Sequence, residues 1–312
     1  MIPSIIFIVP YKNRMEHKYF FSQYLSHILH EDNYEIYFSN QLDDRPFNRG
    51  ASKNIGFLAM KQKYPQEYKN ISFVFHDIDI VPFKQIFDYN TTEGIIKHYY
   101  GFEYALGGIV SILGKDFEKI NGYPNYWGWG MEDTILQKRC NKHNLTIDRT
   151  HFYPIGSPSI LQLFDGVSRI INKKETKKYS YDNGSDGLSN IINVQYTINT
   201  KSLNEKDNEY IFDNSYIFVV NIISFEIPNQ MVQEDFYHYD LRDNPKLIMN
   251  PQEHNQLNKP KEWTDIPPVE VNINKFVIPK EYKIKKITKN IINPMSQQII
   301  YKKNRIQLGG IM

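Results

Sequence analysis

The sequence predicts an α/β fold, a mostly parallel sheet flanked by helices with an irregular C-terminal extension. Two observations carry that prediction. Strand-like and helix-like segments alternate through the first half of the chain. Two carboxylates, Asp77 and Asp79, follow directly on an apolar run, at the strand end where open α/β sheets place their ligands.

The elements follow in order. The run Ser4-Ile5-Ile6-Phe7-Ile8-Val9 is apolar throughout and stops at Pro10-Tyr11, which marks a buried first strand. Residues 14–30 carry Tyr19, Phe20, Tyr24, Leu25, Ile28 and Leu29 on one helical stripe. Residues 34–39 read as the second strand. Asn48 is an N-cap for a helix whose inner face includes Ile55, Leu58 and Ala59 and which fades near Pro65. Residues 71–75 form a third, buried strand. An apolar strand follows Gly107-Gly108, then a short helix over residues 115–121 closed by Gly122. Residues 131–143 read as a helix with Ile135, Leu136 and Cys140 facing inward. Past residue 150 the periodicity weakens. A lysine-rich stretch at 173–178, a turn cluster at 183–187 and strand-like runs at 191–196 and 216–225 remain. This divides the chain into an α/β domain over residues 1–200 and an extension over 201–312 that completes or wraps it.

With 312 residues and 41% hydrophobic content, the chain can bury a sizeable core. A net charge of +2 gives no field that recommends nucleic acid or an anionic membrane as a partner. The 23 Tyr and 19 Phe suit a wet, hydroxyl-rich ligand as well as a core. The single cysteine, Cys140, cannot form an internal disulfide, and the first apolar run is too short for a membrane span and lacks a basic leader. The expectation is a cytoplasmic protein with no membrane span.

Two segments carry chemistry. Trp127-Gly128-Trp129-Gly130-Met131-Glu132-Asp133 brings indoles, glycines and carboxylates together where a loop enters a helix. Indole faces stack on pyranose rings, glycines admit a ligand to the backbone, and a carboxylate can take a proton from a hydroxyl. Alone, the segment reads equally well as a hydrophobic turn leading into a capped helix. Asp77 and Asp79, two apart on extended backbone, can point the same way, one toward a divalent cation on a diphosphate and the other toward a sugar hydroxyl.

In sequence order, these segments and several others resemble the beta-1,4-galactosyltransferase family. The resemblance runs through Ile8-Val9-Pro10-Tyr11-Lys12-Asn13-Arg14 with His17, Phe47-Asn48-Arg49 with Asn54-Ile55-Gly56-Phe57, and Phe75-His76-Asp77-Ile78-Asp79-Ile80-Val81-Pro82. It continues through Gly107-Gly108, Ile120-Asn121-Gly122-Tyr123-Pro124-Asn125 and the Trp-Gly segment, with fainter echoes at Lys174-Glu175-Thr176 and Ser185-Asp186-Gly187-Leu188. It implies a GT-A-like, Rossmann-like fold and an inverting, metal-dependent hexosyltransferase that uses a UDP-sugar donor, a glycan or glycoconjugate acceptor and Mn²⁺. By position, Pro10, Tyr11 and Arg14 would line the nucleotide site, Phe47 would pack on uracil and Arg49 would contact the nucleotide. Gly107 and Gly108 would lie on the donor side. Asp77 would bind donor hydroxyls and Asp79 would ligate the metal. Trp129 would lie beside donor and acceptor sugars, Glu132 would bind the acceptor and Asp133 would be the general base.

The chain departs from the family in three places. The family's methionine and histidine metal ligands fall, counted without gaps, on Ser159 and Gln162, so either Gln162 supplies an oxygen, a shifted loop brings His151, or the site leans on Asp79, phosphate and water. A donor-pocket tyrosine is replaced by Ala105, followed by Leu106, which leaves room for an N-acetyl group, so an N-acetylgalactosaminyl or N-acetylglucosaminyl donor joins galactose. Met131 stands where the family commonly has glycine. A carbohydrate-binding or structural protein of the same fold with weak or no turnover is the alternative.

Overall fold

The computed structural model describes residues 2–29, 33–200, 215–228 and 231–243. Much of the extension expected over residues 201–312 therefore lies outside the described residues. The chain runs β1 (Ile5–Tyr11), α1 (Met15–Ile28), β2 (Tyr34–Gln41), α2 (Arg49–Lys63), β3 (Ser72–His76), β4 (Ile80–Pro82), β5 (Ile95–Gly101), β6 (Ile109–Leu113), α3 (Gly114–Lys119) and α4 (Glu132–Lys142). It continues with β7 (Thr146–Asp148), β8 (Tyr153–Pro154), β9 (Ile160–Gln162), β10 (Ser168–Asn172), α5 (Lys173–Lys178), β11 (Ile192–Asn199), β12 (Ile217–Glu226) and β13 (Phe236–Asp240).

One central sheet has the order β11-β12-β2-β1-β3-β6-β5-β7, with β8 also on β5. β1 pairs in parallel with both β2 and β3, and β12 pairs in parallel with β2. Antiparallel pairings of β6 with β3 and with β5 make the sheet mixed on that side. Every residue of β1 and β3 is buried, because helices and loops cover both faces at the sheet centre. One apolar layer gathers Ile6, Ile8, Ile55, Phe57, Phe73 and Phe75; the opposite one gathers Phe7, Val9, Phe21, Leu25, Phe38 and Val74.

The predicted central elements form close to their expected bounds. Asn48 caps α2 by accepting the Ala51 N–H at 2.9 Å. Ile135, Leu136 and Cys140 are fully buried on α4. β5 has no counterpart among the expected strands: Lys97 and His98 interrupt its apolar run, and both find partners that the sequence does not advertise.

Residues past 200 enter the core. β12 lies between β11 and β2, and its Phe225 ring stacks on Trp127 at 5.7 Å with Arg45 over both rings. Among the described residues no helix is long and apolar enough to cross a membrane.

Candidate active site

The first turns of α2 and α4 and the segment after β3 supply the carboxylates and cations of the candidate site. Arg49, at the start of α2, joins them. Its Nη2 donates to Asp77 Oδ1 and Oδ2 at 2.5 and 2.6 Å; its Nη1 donates to Asp133 Oδ2 at 2.8 Å and to Glu132 Oε1. One helical turn later, Lys53 puts Nζ 3.3 Å from Asp133 Oδ1 and 3.8 Å from Asp77 Oδ1. Two cations thus face three carboxylates.

The acids answer differently to that field. Burial works against ionised Asp77, but Arg49 and Lys53 outweigh it and hold the carboxyl below its ordinary range. Glu132 is pushed upward by burial and by the adjacent Asp133, which Arg49 only partly offsets. Asp77 and Asp133 keep side-chain exposures of 23% and 21%, so a ligand can reach both, whereas Glu132 keeps 5%.

Glycines make this closeness possible. A Cβ on Gly107 would stand 2.5 Å from Asp133 Oδ2. Gly108 has φ +70°, its carbonyl accepts the Asp77 N–H at 2.9 Å, and a Cβ there would run into the Tyr100 carbonyl oxygen. The two glycines therefore bring the β5–β6 hairpin against both acids. His98 supports the same turn: its Nε2 lies 3.1 Å from the Tyr100 and Gly107 carbonyl oxygens while Nδ1 accepts Arg149 Nε at 3.0 Å. That pattern assigns the neutral Nε2–H tautomer, in keeping with a pKa pushed down to about 4 by burial and Arg149.

Asp79 lies in a different environment. Its pKa is raised to about 6 by burial, then by Asp77 and Asp165, and among the described residues no ion pair reaches its carboxylate. A crowded carboxylate with that history fits a divalent cation, which would relieve desolvation and repulsion together. Gln162 is registered opposite Ile80 across the β4–β9 pair, and its Oε1 accepts the Tyr100 hydroxyl at 3.0 Å. Ser159 gives its carbonyl to the Phe83 N–H. His151 is exposed, near enough to Asp148 to help lower its pKa. Among the described residues no group of three or more His, Cys, Asp or Glu side chains is arranged to hold a metal, so Asp79 would need oxygen from Gln162, phosphate or water.

The remaining expected residues lie as follows. Pro10 and Tyr11 end β1 and are buried. Arg14 pairs with Asp165 at 2.8 Å, and Arg169 holds the same carboxylate at 2.7 Å. Phe47 is half-buried and its carbonyl accepts the Gly128 N–H at 3.2 Å. Ala105 is buried in the hairpin, and Leu106 N–H bonds the Asp133 carbonyl at 3.0 Å. The two indoles of the Trp-Gly segment separate: Trp127 is core at 2% exposure, whereas Trp129 is 41% exposed and anchored by its N–H to the Ile170 carbonyl at 2.7 Å. Met131 enters α4 with φ 73°, a left-handed conformation that suits glycine.

Lys53 escaped the sequence reading. The available signal was its place one turn beyond Arg49 on the face that α2 turns to the sheet. The Ser185–Leu188 echo has a structural role: Asp186 binds Asn125, Arg139 donates to the Asp186 carbonyl, and Arg139 also pairs with Asp182 at 2.6 Å, which ties α4 to the loop before it.

Known proteins match this chain in sequence and in fold. Residues 2–92 match the family model for the N-terminal region of glycosyl transferase group 7, and residues 94–159 match the one for the N-terminal domain of galactosyltransferase. The chain belongs to the beta-1,4-galactosyltransferase family. It is 27% identical over 231 residues to xylosylprotein 4-beta-galactosyltransferase of Caenorhabditis elegans, covering 69% of this chain and 76% of that protein. It is 33% identical over 158 residues to beta-1,4-galactosyltransferase 1 of Mus musculus, covering 47% of this chain but only 39% of the mouse protein. Among solved structures, Drosophila beta-1,4-galactosyltransferase 7 in complex with manganese, UDP-Gal and xylobiose superposes with a TM-score of 0.56 at 18% identity, covering 75% of this chain and 98% of that one. That likeness bears out the expected GT-A-like fold of this galactosyltransferase-family chain.

Proposed function

We propose that this protein is an inverting hexosyltransferase that moves galactose, or an N-acetylhexosamine, from a UDP-sugar to a glycan hydroxyl with Mn²⁺ at the donor. The observation that carries this reading is the juxtaposition of Asp77 with Asp133 through Arg49, beside a crowded Asp79 carboxylate. Family membership supports the sugar donor, and the manganese and UDP-Gal bound to the Drosophila relative support the cofactor.

The residues divide the work. Asp133 takes the proton of the acceptor hydroxyl as that oxygen bonds to the anomeric carbon and the bond to the diphosphate breaks. Asp79 would hold a divalent cation, which when bound would supply positive charge for the departing diphosphate. Asp77, ionised by Arg49 and Lys53, accepts hydrogen bonds from donor hydroxyls. Trp129 offers its exposed indole face to a sugar ring, and Glu132 borders the acceptor side. Attack opposite the leaving group gives inversion.

Ala105 in the hairpin favours a donor pocket that admits an N-acetyl group. The test measures UDP release and product formation with UDP-Gal, UDP-GalNAc and UDP-GlcNAc, with and without Mn²⁺ and with xyloside and N-acetylglucosaminide acceptors. Metal-dependent transfer from one of these donors is expected. Sugar binding without transfer under any of these conditions would move the protein to the carbohydrate-binding reading, which the absence of acidic or histidine side chains at Ser159 and Gln162 favours.

A further inference from the structure

Lys53 is 1% exposed, yet it carries an ammonium into the base of the site. Its Nζ lies 3.3 Å from Asp133 Oδ1, 3.8 Å from Asp77 Oδ1 and 4.3 Å from the centroid of the Tyr123 ring. An apolar side chain would fill the same volume without the desolvation cost of a buried charge. The placement is therefore best explained by what the ammonium does to its partners.

Asp133 has its two oxygens on two different cations, Oδ2 on Arg49 at 2.8 Å and Oδ1 on Lys53 at 3.3 Å. Arg49 alone would leave the carboxylate free to turn about its Cβ–Cγ bond. With Arg49 on Oδ2, Lys53 on Oδ1 and the bare Cα of Gly107 against Oδ2, the carboxylate is held from both of its oxygens while keeping 21% exposure. Charge acts in the same direction. Asp133 faces Glu132 on its own helix and Asp77 beyond β3, and among the described residues its neighbours Tyr123 and His98 add no positive charge, His98 being held neutral. Arg49 and Lys53 are the cations set against those acids.

We propose that Lys53 is a positioning residue for transfer, holding the Asp133 carboxylate between two cations and turned toward the acceptor hydroxyl. The proposal rests on the reading of Asp133 as the base. Lys53→Met keeps length and removes charge, and Lys53→Gln keeps a polar contact without charge, which serves if the methionine variant fails to fold. In either, the acid limb of the kcat/KM pH profile is expected to move toward neutral pH by about one unit, with kcat on that limb down about tenfold and acceptor KM changed less than about twofold. A uniform loss at every pH, with the limb in place, would overturn the proposal, because a merely structural lysine would act that way. Asp133→Asn separates the two ideas. If it abolishes transfer while the lysine variants leave the limb unmoved, only the role of Lys53 fails; if it transfers at the wild-type rate, the base reading fails and takes this proposal with it.

Discussion

Gly107 meets Asp133 with a bare Cα, since a Cβ there would stand 2.5 Å from Oδ2 and 3.0 Å from the carboxylate carbon. The Asp133 side chain uses the space that any other residue would fill. Gly107→Ala should displace the carboxylate and leave most of the fold intact, at about 1–3 kcal/mol of overpacking. Turnover is expected to fall at least about tenfold while thermal unfolding stays cooperative. Unchanged turnover would mean that the turn does not set the position of Asp133.

Arg49 donates to three carboxylates from a side chain only 17% exposed. Arg49→Met would leave Asp77, Glu132 and Asp133 with Lys53 as their remaining close cation, and breaking a buried pair from one side costs about 3–5 kcal/mol. Arg49→Lys keeps the charge but loses the fork that spans Asp77 and Asp133, so it should recover less than half of that loss. Urea unfolding of both variants measures the difference. A methionine variant as stable as wild type would show that the cluster is not held by the guanidinium.

The sheet centre was legible in the sequence because β1 and β3 are continuous apolar runs and Asn48 announces α2. Asp77, Asp79, Glu132 and Asp133 were legible as motif residues. The bonds among them were not, since Arg49 meets Asp133 across 84 positions of sequence that no local period records. The two tryptophans of that segment look alike in sequence, and it is long-range packing, with the Phe225 ring and Arg45 among its contacts, that makes Trp127 core. Met131 could be noted as a departure from glycine, but its positive φ belongs to the entry angle of α4.

Three buried groups set a pH dependence, and their signs differ. His76 and His98 have pKa values lowered from 6.5 to about 4 by burial, so the unfolded chain takes protons first as pH falls. Their contribution is present above about pH 6.5 and is lost toward pH 4, at most ~3 kcal/mol each. Asp79 is raised from 3.8 to about 6, so the folded state holds a proton that the unfolded chain has released. Its contribution is present below pH 3.8 and is lost as pH rises through about 6. Asp79→Asn should therefore be more stable than wild type at neutral pH without divalent metal, by about 1–3 kcal/mol, and nearly equal to it near pH 4. Thermal unfolding across that range checks the crossover, and a variant less stable than wild type at neutral pH would refute it.

Phe225 links residues beyond 200 to the part of the chain that holds the candidate site. Its ring is 2% exposed, stacks on Trp127 at 5.7 Å and receives the Arg45 guanidinium at 4.4 Å. Trp127 opens the loop that leads to Trp129, Glu132 and Asp133, so the packing beneath that loop comes partly from β12. Phe225→Ala removes a buried ring and should cost about 3–5 kcal/mol. Because the cavity lies beneath the loop, acceptor KM should rise more than donor KM, which steady-state kinetics on the surviving folded fraction can separate. Truncation at residue 200 would go further, exposing the edge of β2 that β12 covers over Ile36–Gln41, and should yield no soluble folded protein. A stable, active truncation would show that β12 is dispensable and that the catalytic unit ends before it.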